Sequence, residues 1–342
     1  MNLNILENKS SYDTDITAKC IRDGFLFFLH GNDLSVLSAY DYKTLVNIEE
    51  LSGRLFYYNK NYYLVDFKSQ IRKFNKEQKS FDKILKCPIK SIGFINEKYY
   101  FKRFSERKPE RIIWRDIYNM EMQKIATLHN DSVIKYIDQD SIIISDVGQN
   151  ASVRRVKDDF KTDIWSHSRY GDVKNGPTNY FRKDDRLYLS AMSSNNSGSI
   201  LCLDMNSGER VWQTECNLGW LHNYPDNKYF AGLNEEMFTV IDSYSGDILQ
   251  KKRFEGVGGS SYLSYLKGDK FYFINNSLLE PTLDSINIKT LKHSIEIELI
   301  TDVKRYENVS LSSLFRRPVV EHGSIYIPTS EKEMYIFDSV YS

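Results

Sequence analysis

Eight short polar turns recur along the chain, and each is followed by a run of aromatic or β-branched residues that favours a β-strand. The eight runs begin at Phe25, Tyr62, Tyr99, Ser141, Leu187, Tyr229, Phe271 and Ile325. Their starts are 37 to 54 residues apart, and a period of about 40–50 residues is typical of a four-stranded propeller blade. The repeat therefore predicts an all-β fold, with one β-propeller domain of antiparallel blades over residues 1–342.

The number of runs predicts eight blades. The last unit, IYIPTSEKEMYIFDSVYS, ends before a fourth strand, and the N-terminal segment MNLNILE can supply that strand. Closure of the ring by strands from both termini removes exposed sheet edges, which otherwise promote aggregation. A ring of seven blades is the alternative, if the weakest unit, around residues 141 to 176, is not a blade.

The stretch SILCLDMNSGERVW, from Ser199 to Trp212, predicts one β-hairpin of this repeat. Alternation divides the first strand into two sides, and Ser207-Gly208 supplies the turn before the return strand. The register Cys202-x-Asp204-x-x-x-Gly208-x-x-x-Trp212 resembles the tryptophan-docking motif of quinoprotein-like (PQQ-like) β-propellers. As a strand pattern the resemblance covers most of the chain, with the tryptophan expected in one blade.

The resemblance implies a propeller fold, but its known activities fit this sequence poorly. Quinoprotein dehydrogenases act outside the cytoplasm with pyrroloquinoline quinone and calcium, and a related periplasmic lipoprotein helps to insert outer-membrane barrels. The start MNLNILENKSSYDTD has neither the basic region nor the apolar run of a signal peptide. We therefore expect a cytoplasmic protein without a cofactor, and free thiols at the four dispersed cysteines.

Charge and spacing exclude several other functions. The 46 basic and 46 acidic residues cancel, so no global field favours nucleic acid or an anionic membrane surface. The six histidines are scattered without metal-ligand spacing, and Asp204-x-Asn206-x-Gly208 fits a hairpin turn better than a calcium loop. We predict no catalytic and no metal-binding residues. His167, in a long loop, is the one histidine that we consider as a candidate ligand or general base.

Loop lengths point to one face of the predicted propeller. The A–B and C–D turns are short, whereas the insertions fall in the B–C and D–A connections, where propeller loops commonly bind partners. Arginine and aromatic residues dominate binding hot spots. The predicted partner-binding residues in these connections are Arg103, Arg107, Trp165, His167, Arg169, Tyr170, Phe254, Tyr306, Phe315, Arg316 and Arg317.

The preferred hypothesis is a protein-binding module without chemistry of its own, whose loop-rich B–C/D–A face captures one protein partner. One version is a bacterial immunity protein that neutralises a toxin domain. The alternative is an enzyme, a hydrolase or lyase, with polar residues of the inner strands converging in the central funnel. A cluster of carboxylates and histidines in that funnel would favour the enzyme, and an aromatic and arginine patch on the loop face would favour binding. The sequence leaves the oligomeric state open.

Overall fold

A computed structural model of the chain consists of β-strands and short connections. It describes the following residues: 3–7, 21–22, 24–30, 33–41, 43–51, 53–58, 60–66, 68–86, 92–107, 111–129, 132–137, 141–146, 152–168, 177–192, 198–218, 221, 228–275, 281–299, 317–321, 323–328 and 333–337. Within these ranges the structure contains no helix that is long and apolar enough to cross a membrane.

The described part of the chain contains thirty-one strands. The first thirteen are β1 (Leu3–Glu7), β2 (Ile21–Arg22), β3 (Phe25–His30), β4 (Asp33–Ser38), β5 (Thr44–Ile48), β6 (Gly53–Tyr58), β7 (Asn61–Asp66), β8 (Gln70–Asn75), β9 (Ser80–Lys86), β10 (Ile92–Phe94), β11 (Tyr99–Arg107), β12 (Arg111–Asn119) and β13 (Lys124–Leu128).

The others are β14 (Ser132–Ile137), β15 (Ile142–Asp146), β16 (Ser152–Val156), β17 (Asp163–His167), β18 (Pro177–Lys183), β19 (Arg186–Met192), β20 (Gly198–Asp204), β21 (Arg210–Glu215), β22 (Tyr229–Glu235), β23 (Met237–Asp242), β24 (Ile248–Arg253), β25 (Gly259–Lys267), β26 (Lys270–Asn275), β27 (Thr282–Asn287), β28 (His293–Glu298), β29 (Val319–Glu321), β30 (Ser324–Pro328) and β31 (Glu333–Phe337).

The chain divides into two compact units. Unit 1 comprises residues 1–103, 118–123 and 301–342, and unit 2 comprises residues 104–117 and 124–300. Unit 1 contains the sheets β2-β3-β4-β5, β6-β7-β8-β9 and β1-β31-β30-β29. Unit 2 contains β14-β15-β16-β17, β18-β19-β20-β21 and a seven-stranded sheet of order β24-β23-β22-β25-β26-β27-β28. A further sheet has the order β10-β11-β12-β13.

The predicted strand starts agree with the structure. Each of the eight runs forms a strand that begins at the predicted residue or one residue from it, as at Phe25, Tyr99 and Tyr229. The unit that looked weakest in sequence contains a four-stranded antiparallel sheet, β14 to β17. The N-terminal strand β1 pairs antiparallel with β31, with Leu3 opposite Phe337, and is thus the fourth strand of that sheet.

The predicted hairpin from Ser199 to Trp212 is present as β20 and β21. Leu201 and Leu203 pack into one hydrophobic cluster, and Ile200 and Cys202 into another, as the alternation requires. At the turn, Oδ1 of Asp204 accepts hydrogen bonds from the backbone N–H groups two and three residues ahead, at 2.9 and 2.8 Å. These bonds, first among them the one from Ser207, lower the pKa of Asp204. The aspartate therefore closes a hairpin turn.

Two tryptophans of unit 2 lie over glycines in the turn of the following hairpin. A β-carbon at Gly208 would be 2.6 Å from Cδ2 of Trp165, and one at Gly246 would be 2.6 Å from Cδ2 of Trp212. Both glycines also have a left-handed backbone, with φ of 73° and 81°. Each position therefore requires glycine for two reasons, the contact with the indole and the backbone conformation. The expectation that the motif keeps its tryptophan in one blade was wrong. Trp165 has the same role, although its own hairpin lacks the Asp and Gly of the motif.

A β-bulge interrupts the outermost strand of several sheets. The pairing register shifts within β5, β9, β17, β21, β24 and β28. In five of these strands the bulged residue is a solvent-exposed aliphatic one, and these residues are Leu45, Ile84, Ile164, Val211 and Leu249. The residue after the bulge can therefore face the neighbouring sheet, as Trp165 and Trp212 do.

Some of the tight turns between strands contain a residue other than glycine in a strained, left-handed backbone conformation. Met122 lies between β12 and β13 with φ of 64°, and its side chain is 48% exposed. Met122→Gly is expected to raise the free energy of unfolding by about 0.5–1 kcal/mol, because a left-handed conformation costs an L-residue about 1–2 kcal/mol and little packing is lost. Urea unfolding measures the change. Glu121→Gly, one residue earlier and without a positive φ, is the matched control. An equal gain in both variants would contradict the explanation by strain.

Candidate protein-binding site

A cleft of about 430 Å³ lies in unit 1 between β5 and the hairpin β8–β9. Its apolar lining consists of Val46, Ile48, Leu51 and Phe81. Val46 and Ile48 are half-buried, and they pack on the aromatic core between these sheets. We call this feature the outer cleft. Its volume falls in the range of about 300–1,000 Å³ that ligand sites occupy.

Charged side chains surround the apolar lining of the outer cleft. Glu49 and Glu50 come from the D–A connection after β5, Lys68 from the B–C connection after β7, and Lys79 from the turn before β9. Lys68 and Glu50 are 70% and 86% exposed, and their charged atoms are 4.0 Å apart. An exposed ion pair of this kind contributes little stability. These charges are therefore available to a partner that approaches the cleft.

Arg72, at the base of the outer cleft, is fixed by two acceptors. Its Nε donates to Oδ2 of Asp66 at 3.1 Å, and its Nη2 donates to Oε1 of Gln70 at 2.9 Å. Asp66 also accepts a bond from the backbone N–H of Gln70 at 2.9 Å, so one buried carboxylate holds both the B–C connection and the guanidinium. The cleft thus has a hydrogen-bonded arginine at its base and exposed charged side chains at its rim.

The structure places two of the predicted partner-binding residues in the interior. Trp165 is 8% exposed in β17, where its Nε1 donates to the backbone oxygen of Met205 at 2.9 Å. Phe254 is 9% exposed and packs edge-on against Phe238, with ring centroids 6.2 Å apart. Both aromatic rings bury apolar area between sheets. The prediction that Trp165 lies in a loop was wrong, because it belongs to β17, and Phe254 lies in the predicted connection after β24 but is buried, so neither ring is exposed to a partner.

The other predicted residues are placed as follows. Arg103 and Arg107 belong to β11, His167 is the half-buried last residue of β17, and Arg317 is half-buried before β29. Five residues lie outside the described ranges, namely Arg169, Tyr170, Tyr306, Phe315 and Arg316. Arg103 and Arg317 belong to unit 1, whereas Arg107 and His167 belong to unit 2, and their role in binding stays a prediction.

A buried carboxylate in unit 2 is the other conspicuous polar feature. Asp284 is fully buried in β27, where it accepts hydrogen bonds from Nδ2 of Asn275 at 2.8 Å and from Oγ1 of Thr282 at 2.5 Å. The Nε2 atom of His293 lies 2.8 Å from the same carboxylate. The ring of His293 stacks on Phe273, and its side chain is 25% exposed. The described residues contain no group of three or more metal-ligating side chains.

Two of the four cysteines fall in described residues, and both are free thiols. Burial raises the pKa of Cys202 to about 11 and that of Cys216 to about 12. Both therefore stay protonated and unreactive at neutral pH. Cys20 and Cys87 lie outside the described residues.

Comparison with known proteins identifies the fold class. BamB from Moraxella catarrhalis matches with a TM-score of 0.56 over 98% of this chain and 100% of its own, at 9% identity. Sqt1 from Saccharomyces cerevisiae matches with a TM-score of 0.57 over 98% and 100%, at 8% identity. Both are β-propellers. This chain has a β-propeller fold.

The computationally designed protein Ika8 is similar as well, with a TM-score of 0.55 over 97% of this chain and 99% of its own, at 6% identity. No protein-family model matches the sequence. No curated protein matches it either. At such low identities the likeness extends to the propeller fold alone, so the site has to be argued from its own residues.

Sequence reasoning missed the outer cleft. Its residues are ordinary for a hairpin, and no loop insertion marks them, since the connection after β5 is short. A signal was nevertheless present. The hairpin β20–β21 has Arg210-Val211-Trp212 around its bulge, and the hairpin β4–β5 has Thr44-Leu45-Val46 at the equivalent positions. Valine thus stands in place of tryptophan. A smaller side chain at a docking position leaves space beside it.

Proposed function

We propose that the chain is a non-enzymatic, protein-binding propeller that captures a protein partner on its B–C/D–A face. The outer cleft is the observation that carries this proposal. It combines an apolar base with charged side chains from a D–A connection, a B–C connection and the C–D turn before β9, as protein interfaces combine an apolar centre with a polar rim. The hydrogen-bonded Arg72 beside the exposed Lys68 and Glu50 suits recognition of a partner's side chains.

The proposal includes a finer architecture of PQQ-like repeats in eight blades, closed by the N-terminal strand. The paired contacts Trp165–Gly208 and Trp212–Gly246 support the repeat type, because each is a tryptophan over a turn glycine one hairpin further on. Pairing of β1 with β31 supports closure. We further propose a cytoplasmic protein, and as its specific role, neutralisation of a bacterial toxin domain.

The test is affinity capture of the tagged full-length chain from its native cells, with mass spectrometry of what is retained. A stoichiometric partner is expected with the native sequence. Lys68→Glu at the cleft, combined with Arg316→Glu in the predicted partner-binding set, should lower recovery severalfold, because reversing the charge of binding residues weakens association. Lys161→Glu is the matched control, since this exposed lysine lies in the C–D turn between β16 and β17.

The outcomes separate the competing functions. A partner lost only with the loop-side variant supports the proposed face, and a toxin domain as that partner supports the immunity role. Loss with Lys161→Glu and not with the loop-side pair would contradict the proposed face. Recovery of the chain alone would argue against a protein partner and favour the alternative, an enzyme with its site in the central funnel.

A further inference from the structure

Two docking positions in unit 2 hold a tryptophan. Trp165 and Trp212 each follow a bulge in an outermost strand, opposite Arg155 and Cys202 respectively, and each lies over a turn glycine of the next hairpin. At the first position the indole Nε1 also donates to the carbonyl oxygen of Met205 at 2.9 Å, one residue after the start of that turn. An indole thus fits both the space and the hydrogen-bond acceptor.

Val46 of unit 1 occupies the corresponding place in its own hairpin. It lies opposite Val36, next to the bulged residue Leu45, as Trp212 lies opposite Cys202 next to Val211. The turns also agree, because the N–H of Ser38 donates to the carbonyl of Lys43 at 2.9 Å. In the later hairpin the N–H of Asp204 donates to the carbonyl of Glu209 at 2.8 Å, and the donor and acceptor are again five residues apart.

The hairpin that faces Val46 repeats the turn of the filled positions. Oδ1 of Asn75 accepts from the N–H groups of Glu77 and Gln78, both at 3.0 Å, as Asp204 does in its turn. Lys79, with φ of 55°, therefore stands where Gly208 stands with φ of 73°. The carbonyl of Lys76 takes the place of the Met205 carbonyl.

The outer cleft lies where the missing indole would be. Val46, Lys79 and Phe81 line it, and its apolar residues belong to the same core that packs around β5. Nζ of Lys79 donates to the carbonyl of Lys76 at 2.8 Å and lies 4.9 Å above the ring of Phe25. The ammonium group thus holds the acceptor that an indole N–H uses at the filled position, and it can rotate away to lie over an entering ring.

We infer that the outer cleft binds a tryptophan side chain presented by the partner protein. This inference rests on the proposed function and names the chemistry that the partner must carry. The occupant is a polypeptide tryptophan because Trp165 and Trp212, which follow a bulge as Val46 does and lie over the turn of the next hairpin, both carry that group. Its indole would pack on Val46 and Phe81 and donate to the carbonyl of Lys76, while Lys68 and Glu50 contact flanking polar residues.

The test uses the purified full-length chain with N-acetyl-L-tryptophanamide as the probe, followed by NMR of assigned amide and methyl signals. Saturable shifts are expected at Val46, Leu51 and Lys79. N-acetyl-L-leucinamide should bind about tenfold more weakly, because it lacks the aromatic surface and the indole donor. Equal shifts with both probes, or no saturable shift at the cleft, would overturn the inference.

A matched pair of variants tests whether the probe binds in the outer cleft. Val46→Trp supplies the indole from within the chain, so it should abolish probe binding and show the blue-shifted fluorescence of a buried indole. Leu45→Trp carries the same residue at the exposed bulge next to it, so probe binding should persist and the added fluorescence should be that of an exposed indole. Undiminished probe binding by Val46→Trp would refute the site.

Lys79→Gly keeps the inference testable if Val46→Trp does not fold, as judged by circular dichroism. It restores the glycine of the filled positions at a backbone that favours glycine, and tighter probe binding by severalfold is expected. Weaker binding would overturn the inference. Failure here differs from failure of the proposed function. If the loop-side variant loses the partner but the native chain does not bind the probe, only the tryptophan site is contradicted. If the native chain binds the probe but no such partner is captured, only the proposed function is contradicted.

Discussion

Replacing Trp165 by alanine is expected to lower the free energy of unfolding by about 3–5 kcal/mol, the usual effect of truncating a buried tryptophan. The side chain is 8% exposed, covers Gly208, and shares the carbonyl of Met205 with Nη1 of Arg155, which is 3.0 Å from that oxygen. The variant therefore loses packing between two sheets and one hydrogen bond. Guanidinium unfolding followed by circular dichroism measures the loss.

Trp212→Ala is the matched control for this prediction. Trp212 covers Gly246 in the same way, but it is only half-buried, and its Nε1 has no hydrogen-bond partner among the described residues. Its truncation should therefore cost less than that of Trp165. A larger loss for Trp212→Ala would show that burial and the bond to Met205 do not decide the stability of these docking positions.

Replacing Asp284 by alanine should lower the free energy of unfolding by about 2–4 kcal/mol, because each buried polar group left without a partner costs about 1–3 kcal/mol. The carboxylate is fully buried and bonded by Asn275 and Thr282, with His293 beside it. His293 is 25% exposed and can regain hydrogen bonds with water, so the amide and hydroxyl partners dominate the loss. Thermal and urea unfolding both report this change.

Asp284→Asn is the conservative control. An asparagine oxygen can still accept from Thr282, whereas its amide group cannot accept from Asn275, so an intermediate loss of stability is expected. If the alanine and asparagine variants were equally stable, the carboxylate would not organise this cluster.

The strands could be predicted because they are encoded locally. A polar turn followed by Phe25-Leu26-Phe27 or by Tyr99-Tyr100 specifies a strand start from a few residues. The role of Trp165 could not be predicted in this way. Its hairpin turns through Lys157 to Thr162, without the glycine of the motif, and only the pairing of Arg155 with Trp165 shows its register.

The binding site was predictable only in part. Loop insertions marked a face, but length alone does not distinguish an exposed ring from a buried one, and Phe254 turns inward because its ring fills space beside Phe238. The outer cleft is a space between two segments that are distant in sequence, one around Val46 and one around Lys79, whose side chains leave it unfilled. Such a space becomes visible only once the register of both hairpins is known.

The bulged outer strands have a consequence for the behaviour of the protein at high concentration. An uninterrupted, flat outer strand offers a ladder of backbone groups onto which another molecule can add. A shift of register within β5, β9, β17, β21, β24 and β28 breaks that ladder after a few residues and twists the strand. Exposed aliphatic residues such as Ile164 and Val211 therefore lie at points where the ladder is interrupted, and this disfavours the addition of a strand from another molecule at these six edges.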